Sequence, residues 1–429
     1  MKVAIIGAGA TGLTAGYELA KRGHCVTVYE RPGLGLGGLA GSQTIAGAVI
    51  DKFYHHIFTG DTDIISLIDE TGLSDRLVWR DTKNGIFFGG RTYPFTNPVD
   101  LIRYPELSLP GRVRTGLAVL RAKGIRDFSG LEDVSARDWL IKNAGRESYD
   151  KLWRPLLDSK FGEDADSVGG VWIWNKFKLR GSSRRGVNSE SLGYLSGGFG
   201  ELYSRLSDVI RANGGRVALS EVRSIEARAG GGLTVACDEG GESYEKVLFT
   251  ASPHELCATA KLPPEYAARA RAARYKANVC LTLVTKKRLS DYYWVTVAEP
   301  GAPFVLFIEH SNLFPDPSFG ERGFIFLSQY LDDSDPLYGA PDGELADKFL
   351  TYLGAVFPGF APEDAIEYRV HRARYAQPVV GLRHSETLLP LRTALDGLYI
   401  ASMAQIYPED RGQNYAVALG RKAAQEVRA

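Results

Sequence analysis

Hydrophobic spacing changes period twice before residue 31. Lys2–Ile6 is a short β-branched run, the pattern of a strand covered on both faces of a parallel sheet. A glycine-rich break follows, and then Leu13, Gly16, Tyr17 and Ala20 recur along one helix face. Gly23 stops that helix, and Cys25–Glu30 is a second apolar strand closing on an acid. Further along, the spacing predicts helices over Asp61–Gly72, Ser135–Lys142, Ser148–Lys160 and Glu201–Asn213. Strands are predicted over Arg216–Ser220, Leu233–Cys237 and Tyr244–Thr250, with turns at Gly230–Gly232 and Gly240-Gly241. From Leu262 to about Val380 the text is β-rich, with runs at Val279–Val284, Trp294–Val297, Phe304–Glu309 and Phe324–Gln329 and a helix at Gly343–Val356. This reads as an antiparallel sheet. A last strand over Gly397–Ala401 leads into a helix opening at Gly412.

The break between the first strand and helix is Gly7-Ala8-Gly9-Ala10-Thr11-Gly12, and Glu30 ends the second strand. This is the dinucleotide-binding fingerprint in its required setting. Gly7 makes the tight turn, Gly9 lets a pyrophosphate approach the backbone, and Gly12 lets helix and strand pack closely. Ala10 and Thr11 open the helix whose N-terminal amides favour phosphate. Glu30 stands where a carboxylate takes ribose hydroxyls, which disfavours a 2′-phosphate; Arg31 follows it.

Composition narrows the partners. The chain has 429 residues with 51 basic and 51 acidic side chains, so no overall field argues for nucleic acid. Cys25, Cys237, Cys257 and Cys280 are scattered without a CxxC, and no metal site is expected. No apolar run approaches the ~18 residues of a membrane span, and the text starts at the first strand without a signal pattern, so a cytoplasmic setting is expected. No stretch reads as a clear amphipathic anchor, though peripheral contact with a membrane surface stays open.

A second glycine loop, Gly33 to Gly41, follows Glu30. The order GAGATGL, an acid, then a Gly37-Gly38 doublet resembles the flavoprotein superfamily of monoamine oxidases, protoporphyrinogen oxidases, phytoene desaturases and UDP-galactopyranose mutases. The resemblance implies an α/β fold: a Rossmann-like FAD-binding domain of the glutathione reductase type (1–60, 192–256 and 385–429). It is interleaved with an α+β substrate-binding domain (61–191 and 257–384). It implies FAD as cofactor, with Gly37, Gly38, Leu39 and Ala40 near its phosphates and ribityl chain and the Val222 backbone near adenine. Met403, Gln413, Asn414 and Tyr415 belong to the closing segment, whose helix aims its N-terminus at the flavin. Ser402-Met403 replaces the usual glycine-aspartate pair, so the acid expected there is missing; whether Asp410 replaces it stays open.

With one fingerprint and no second dinucleotide unit, electrons are expected to pass to oxygen or a quinone, or back to the small-molecule substrate. Catalytic candidates are His56, Lys160 and Tyr375. His56 matches the first histidine of the mutases' "HIFHT" stretch and is a candidate base. Lys160 is a candidate lysine near the flavin, with Lys276 a weaker one, and Tyr375 a candidate flavin-cage wall. Substrate candidates are His55 and the basic run holding Arg180, Arg184 and Arg185, placed after Trp172 and Trp174 to clamp a diphosphate. Three readings follow: an FAD-dependent oxidase or desaturase taking a hydride from an apolar or amine substrate, a redox-neutral mutase of a sugar nucleotide, or a non-catalytic binding protein like the GDP-dissociation inhibitors.

Overall fold

The computed structural model describes residues 1–182 and 190–428, and only the backbone over 179–182. Five parallel strands form one sheet in the order Arg216–Leu219, Cys25–Glu30, Lys2–Ile6, Lys246–Phe249, Leu398–Ile400. The opening strand sits at its centre. Because side chains alternate across a strand, Val3 and Ile5 enter the core on one face and Ala4 and Ile6 the core on the other.

Helices Ala10–Ala20, Gly200–Ala212 and Gln413–Arg428 cover the first face. Two glycines set how closely they lie. A Cβ on Gly16 would come within 2.9 Å of Ile210, and one on Gly420 within 2.6 Å of the Thr11 carbonyl oxygen. The closing helix therefore rests directly on the fingerprint helix.

Val222–Ala227, Leu233–Cys237 and Gly240–Tyr244 form an antiparallel insert over the other face. Here the sequence reading is corrected. Gly240 and Gly241 pair with Cys237 and Ala236 as ladder residues, and the run expected over Tyr244–Thr250 splits in two. Glu245 N donates to the Lys2 carbonyl at 2.9 Å, which hands the chain from the insert to the parallel sheet.

The second sheet has seven strands: Ala365–Pro378, Tyr275–Thr285, Gly323–Leu331, Leu306–Glu309, Trp294–Val297, Asn84–Phe88 and Arg91–Pro94. It is mixed, not wholly antiparallel, since Trp294–Val297 runs parallel to Asn84–Phe88. Alternation divides its two faces. Val279, Leu281, Ile325 and Leu327 pack under helix Asp342–Val356, while Cys280, Val284, Phe324 and Phe326 join the core of the parallel-sheet side. The 14-residue strand Ala365–Pro378 escaped prediction because Ile366, Tyr368, Arg369 and Arg374 on it are all exposed, which leaves no clean apolar–polar alternation.

Helices Leu109–Gly124, Ala136–Ala144, Arg154–Phe161 and Gly170–Ser182 make a third body around Trp139, Phe161, Trp172 and Trp174. Ser108 and Ser135 cap the first two, accepting from the amides of Gly111 and Asp138.

Asp51 ties loops together inside the first core. Its Oδ1 accepts from Phe199 N at 2.9 Å and Ser42 Oγ at 3.2 Å. Burial pushes its carboxyl up to about 8 against these hydrogen bonds. A raised acid favours the protonated fold, so its contribution to stability is full below the ordinary 3.8 and declines as pH rises toward about 8. Asp51→Asn keeps the acceptor oxygen and removes the ionisation. Thermal melts across that window are expected to show the variant falling less steeply than the wild type; parallel curves would contradict this.

Candidate functional site

One continuous cavity of about 1340 Å3 lies beyond the carboxyl ends of the parallel strands and runs toward the seven-stranded sheet and the helices. Ordinary small-molecule pockets hold ~300–1,000 Å3; this one has room for a dinucleotide and a second molecule.

The glycine loops build its first wall. Gly7 has φ +105° and Gly37 φ +91°, values that side-chain-bearing residues rarely adopt. Gly37 N donates to the Ala8 carbonyl at 2.8 Å, and Gly9 and Gly37 form a parallel bridge. A Cβ on Gly37 would lie 2.7 Å from the Tyr203 ring, whereas one on Gly9 would meet nothing within 4 Å. Gly9 is thus bare toward the cavity at the N-terminus of the helix. Glu30 accepts from Ala8 N at 2.6 Å and Arg31 N at 2.8 Å, which fixes its carboxylate beside that turn. Burial raises its pKa in spite of these bonds. Arg31 is held by Glu255 at 2.6 Å and Glu221 at 3.6 Å.

The closing helix reaches the same cavity from the far end of the described chain. Gln413 Oε1 accepts from Tyr203 OH at 2.6 Å, while its Nε2 is buried without a hydrogen-bond partner. Asn414 Oδ1 accepts from the amides of Asp63 and Ile64, so this side chain caps helix Thr62–Glu70 while its residue lines the cavity. A bare helix start at Gly9, an unpartnered amide donor at Gln413 and a fixed carboxylate at Glu30 fit a flavin dinucleotide with no group in conflict.

Most residues singled out from the sequence line this cavity: Gly7, Gly9, Ala10, Thr11, Glu30, Arg31, Gly37–Ala40, Met403, Gln413, Asn414 and Tyr415, with His55, His56, Lys160 and Tyr375. Gly12 does not; its place is the helix–strand contact, where a Cβ would lie 2.0 Å from the Gly7 oxygen. Val222 does not either, its side chain being buried with Ile225 and Leu233. Arg184, Arg185 and the Arg180 side chain lie outside the described residues. Lys276 is buried in ion pairs with Asp164 at 2.9 Å and Asp332 at 2.7 Å, off the cavity wall.

His55 donates Nδ1–H to the Phe53 carbonyl at 2.9 Å. Burial, helped by the nearby Arg411 charge, lowers its pKa to about 3, so the ring is neutral. His56 Nδ1 meets Tyr293 OH at 3.0 Å, with the rings of Phe58 and Trp294 around it. Tyr375 stacks on His254 at 5.5 Å and meets Tyr275 edge-on.

Lys160 belongs to a cluster that only the folded chain reveals. Asp410 is buried and pairs with Lys176 and, at 3.6 Å, with Lys160. Its Oδ1 also accepts from Gln377 at 3.1 Å and from Arg411 N at 3.0 Å. Although burial alone would raise it, Lys176, Lys160 and Arg411 hold this carboxyl well below its ordinary value. Burial and the neighbouring Lys176 push the Lys160 ammonium well down. Arg411 donates to Tyr330 OH at 2.5 Å, and Tyr330 OH lies 2.7 Å from Tyr54 OH. Lys160 and Lys176 both lie over the Trp172 ring, at 5.0 and 5.2 Å. Asp410 is thus committed to the two lysines, Gln377 and the Arg411 amide.

Comparison with known proteins bears on the fold and the family. The chain is 28% identical over 192 residues to protoporphyrinogen oxidase 2 of Arabidopsis thaliana, covering 42% of this chain and 37% of that one. It thus spans well under two thirds of that relative. A triple mutant of putrescine oxidase superposes with a TM-score of 0.76 at 16% identity, covering 99% of this chain and 98% of that one. Reduced UDP-galactopyranose mutase superposes at 0.75 and 17%, covering 99% and 93%. At such identities the two structures show a shared mixed α/β fold and nothing of substrate.

The profile of flavin containing amine oxidoreductases matches residues 10–428. The fingerprint makes that flavin FAD, and an enzyme takes the place of the binding-protein reading. The chain belongs to the flavin containing amine oxidoreductase family, as an FAD-dependent oxidoreductase.

Proposed function

We propose that the chain is an oxidase or desaturase that removes a hydride from a largely apolar substrate carrying a neutral or anionic polar end. FAD lies in a glutathione reductase-type domain (1–60, 192–256, 385–429), and the substrate between 61–191 and 257–384. The observation that carries the reading is the cavity wall beyond the glycine loops. Ile86, Phe95, Leu101, Val119, Trp153 and Phe177 make it apolar, and Lys160, Lys176 and Arg411 gather around one carboxylate, Asp410. An ammonium entering this cluster meets like charges in a low-dielectric setting, so the amine alternative is the weaker one.

Bound FAD supplies the two-electron acceptor. His56, held by Tyr293, takes the substrate's proton; Lys160 and Arg411 hold its polar end; and Tyr375 shapes the wall. Anaerobic mixing with matched series of apolar alcohols, carboxylates and amines tests this. Flavin bleaching is expected with the first two, and equal or faster bleaching by amines would defeat the reading. Readmitting air then separates an oxidase, which reoxidises quickly, from a desaturase using a quinone.

A mutase reading draws on the same cations, because two lysines and an arginine also suit a diphosphate. It expects the flavin spectrum of dithionite-reduced protein to shift when UDP-sugars are added, and an unchanged spectrum would retire it.

A further inference from the structure

Helix Leu109–Gly124 is packed the wrong way round for a core helix. Its buried residues are small: Gly111, Thr115, Ala118 and Ala122. Its large apolar residues, Leu109, Val113, Leu117 and Leu120, are 49% to 66% exposed. At 100° per residue these four fall within an arc of about 80°. Val99 and Ile102, on the neighbouring helix Pro98–Arg103, are exposed as well. A contiguous apolar surface of this kind on a folded protein marks an interaction site.

Its borders say with what. Arg114 and Arg121 lie roughly 40–60° beyond one edge of the arc, and Arg112 and Lys123 about as far beyond the other. The helix contains no acid. Among the described residues, none of these four cations nor Arg103 pairs with a carboxylate; Arg112 donates to the Leu107 and Ile102 carbonyls and Arg121 to Asn143. Two arginines on the neighbouring helical segments are paired by contrast, Arg146 with Asp150 and Arg154 with Asp158. An apolar strip edged by unneutralised cations complements the acyl region and anionic headgroups of a bilayer. The strip also continues inward, since Gly116, Val119, Leu120 and Lys123 of the same helix line the cavity.

We propose that this helix docks the protein on an anionic bilayer surface, lying in the interface plane with the cavity mouth beside it. No helix of the structure is long and apolar enough to cross a membrane among the described residues, so the contact is peripheral.

The test uses FAD-loaded protein and Val113→Asp/Leu117→Asp, two exposed positions off the cavity wall. Flavin absorbance and thermal midpoint serve as controls for folding. Co-sedimentation is measured with vesicles of phosphatidylcholine alone and of phosphatidylcholine mixed with phosphatidylglycerol. Wild type is expected to bind the anionic vesicles, more weakly at raised salt, and the variant to bind at least about tenfold less. Absence of binding to anionic vesicles, equal binding by both proteins, or a wild-type dimer in solution that the variant loses would each overturn the proposal, the last by assigning the strip to a second copy. The readout involves no turnover, so the outcome stands apart from the substrate reading.

Discussion

Gly9→Val should yield folded, colourless protein, and Gly12→Ala should yield little folded protein at all. The two residues belong to one motif three positions apart, yet their surroundings differ. At Gly9 the backbone is extended, with φ −76°, and an added Cβ meets nothing within 4 Å. Valine is therefore accommodated by the apoprotein. Its methyl groups enter the cavity beside the helix N-terminus, where a dinucleotide's phosphates must come against the backbone. Flavin affinity is expected to fall at least about 100-fold, the equivalent of ~2.7 kcal/mol. At Gly12 a Cβ would lie 2.0 Å from the Gly7 carbonyl oxygen and 2.9 Å from Thr250 Oγ1. Neither main chain can yield without opening the strand–helix junction, so the cost exceeds the ~1–3 kcal/mol of ordinary overpacking. Flavin absorbance per protein and far-ultraviolet circular dichroism separate the outcomes. A yellow Gly9→Val, or a Gly12→Ala as stable as wild type, would remove the geometric assignment of the fingerprint.

The second large effect is expected at Asp410→Asn. Removing this charge leaves Lys160 and Lys176 facing each other inside the wall with Arg411 nearby. Breaking a buried ion pair by deleting one partner costs ~3–5 kcal/mol, and three groups are affected here. The pH profile should change shape too. In wild type Asp410 is depressed, so its stabilising contribution is full above the ordinary 3.8 and fades only as pH falls through its lower folded value. Lys160 is depressed from 10.5, which makes stability rise with pH between its folded value and that one. The variant loses the first effect and extends the second to lower pH. Melting curves at several pH values should therefore show a deficit near neutrality that narrows as pH rises. A variant indistinguishable from wild type at neutral pH would mean that the cluster is solvated and carries no selective charge.

What could be read from the sequence was whatever lies close together along it. The fingerprint, the Gly37-Gly38 loop and the closing helix are local patterns, each with its own backbone demand, and they line one cavity, as the family resemblance implied. The cation cluster is different. Lys160, Lys176, Tyr330 and Asp410-Arg411 come from four separate stretches, and nothing in the text around Asp410 announces that two distant lysines will claim it. Lys276 shows the reverse error, a lysine before an apolar strand whose partners, Asp164 and Asp332, are invisible until the chain folds. Helix Leu109–Gly124 was hidden for a different reason. Alanines and a threonine fill its buried side, so the usual rule that large apolar residues face inward selects the wrong face.

Gly420 carries a consequence for biosynthesis. It lets the last helix settle on the first, and Gln413 enters the cavity only when that has happened. A nascent chain still threaded through the ribosome short of these residues has both glycine loops but an open pocket. Capture of the vitamin-derived cofactor thus waits until the closing helix has emerged and settled on the first, and the yellow colour of the protein reports that it has.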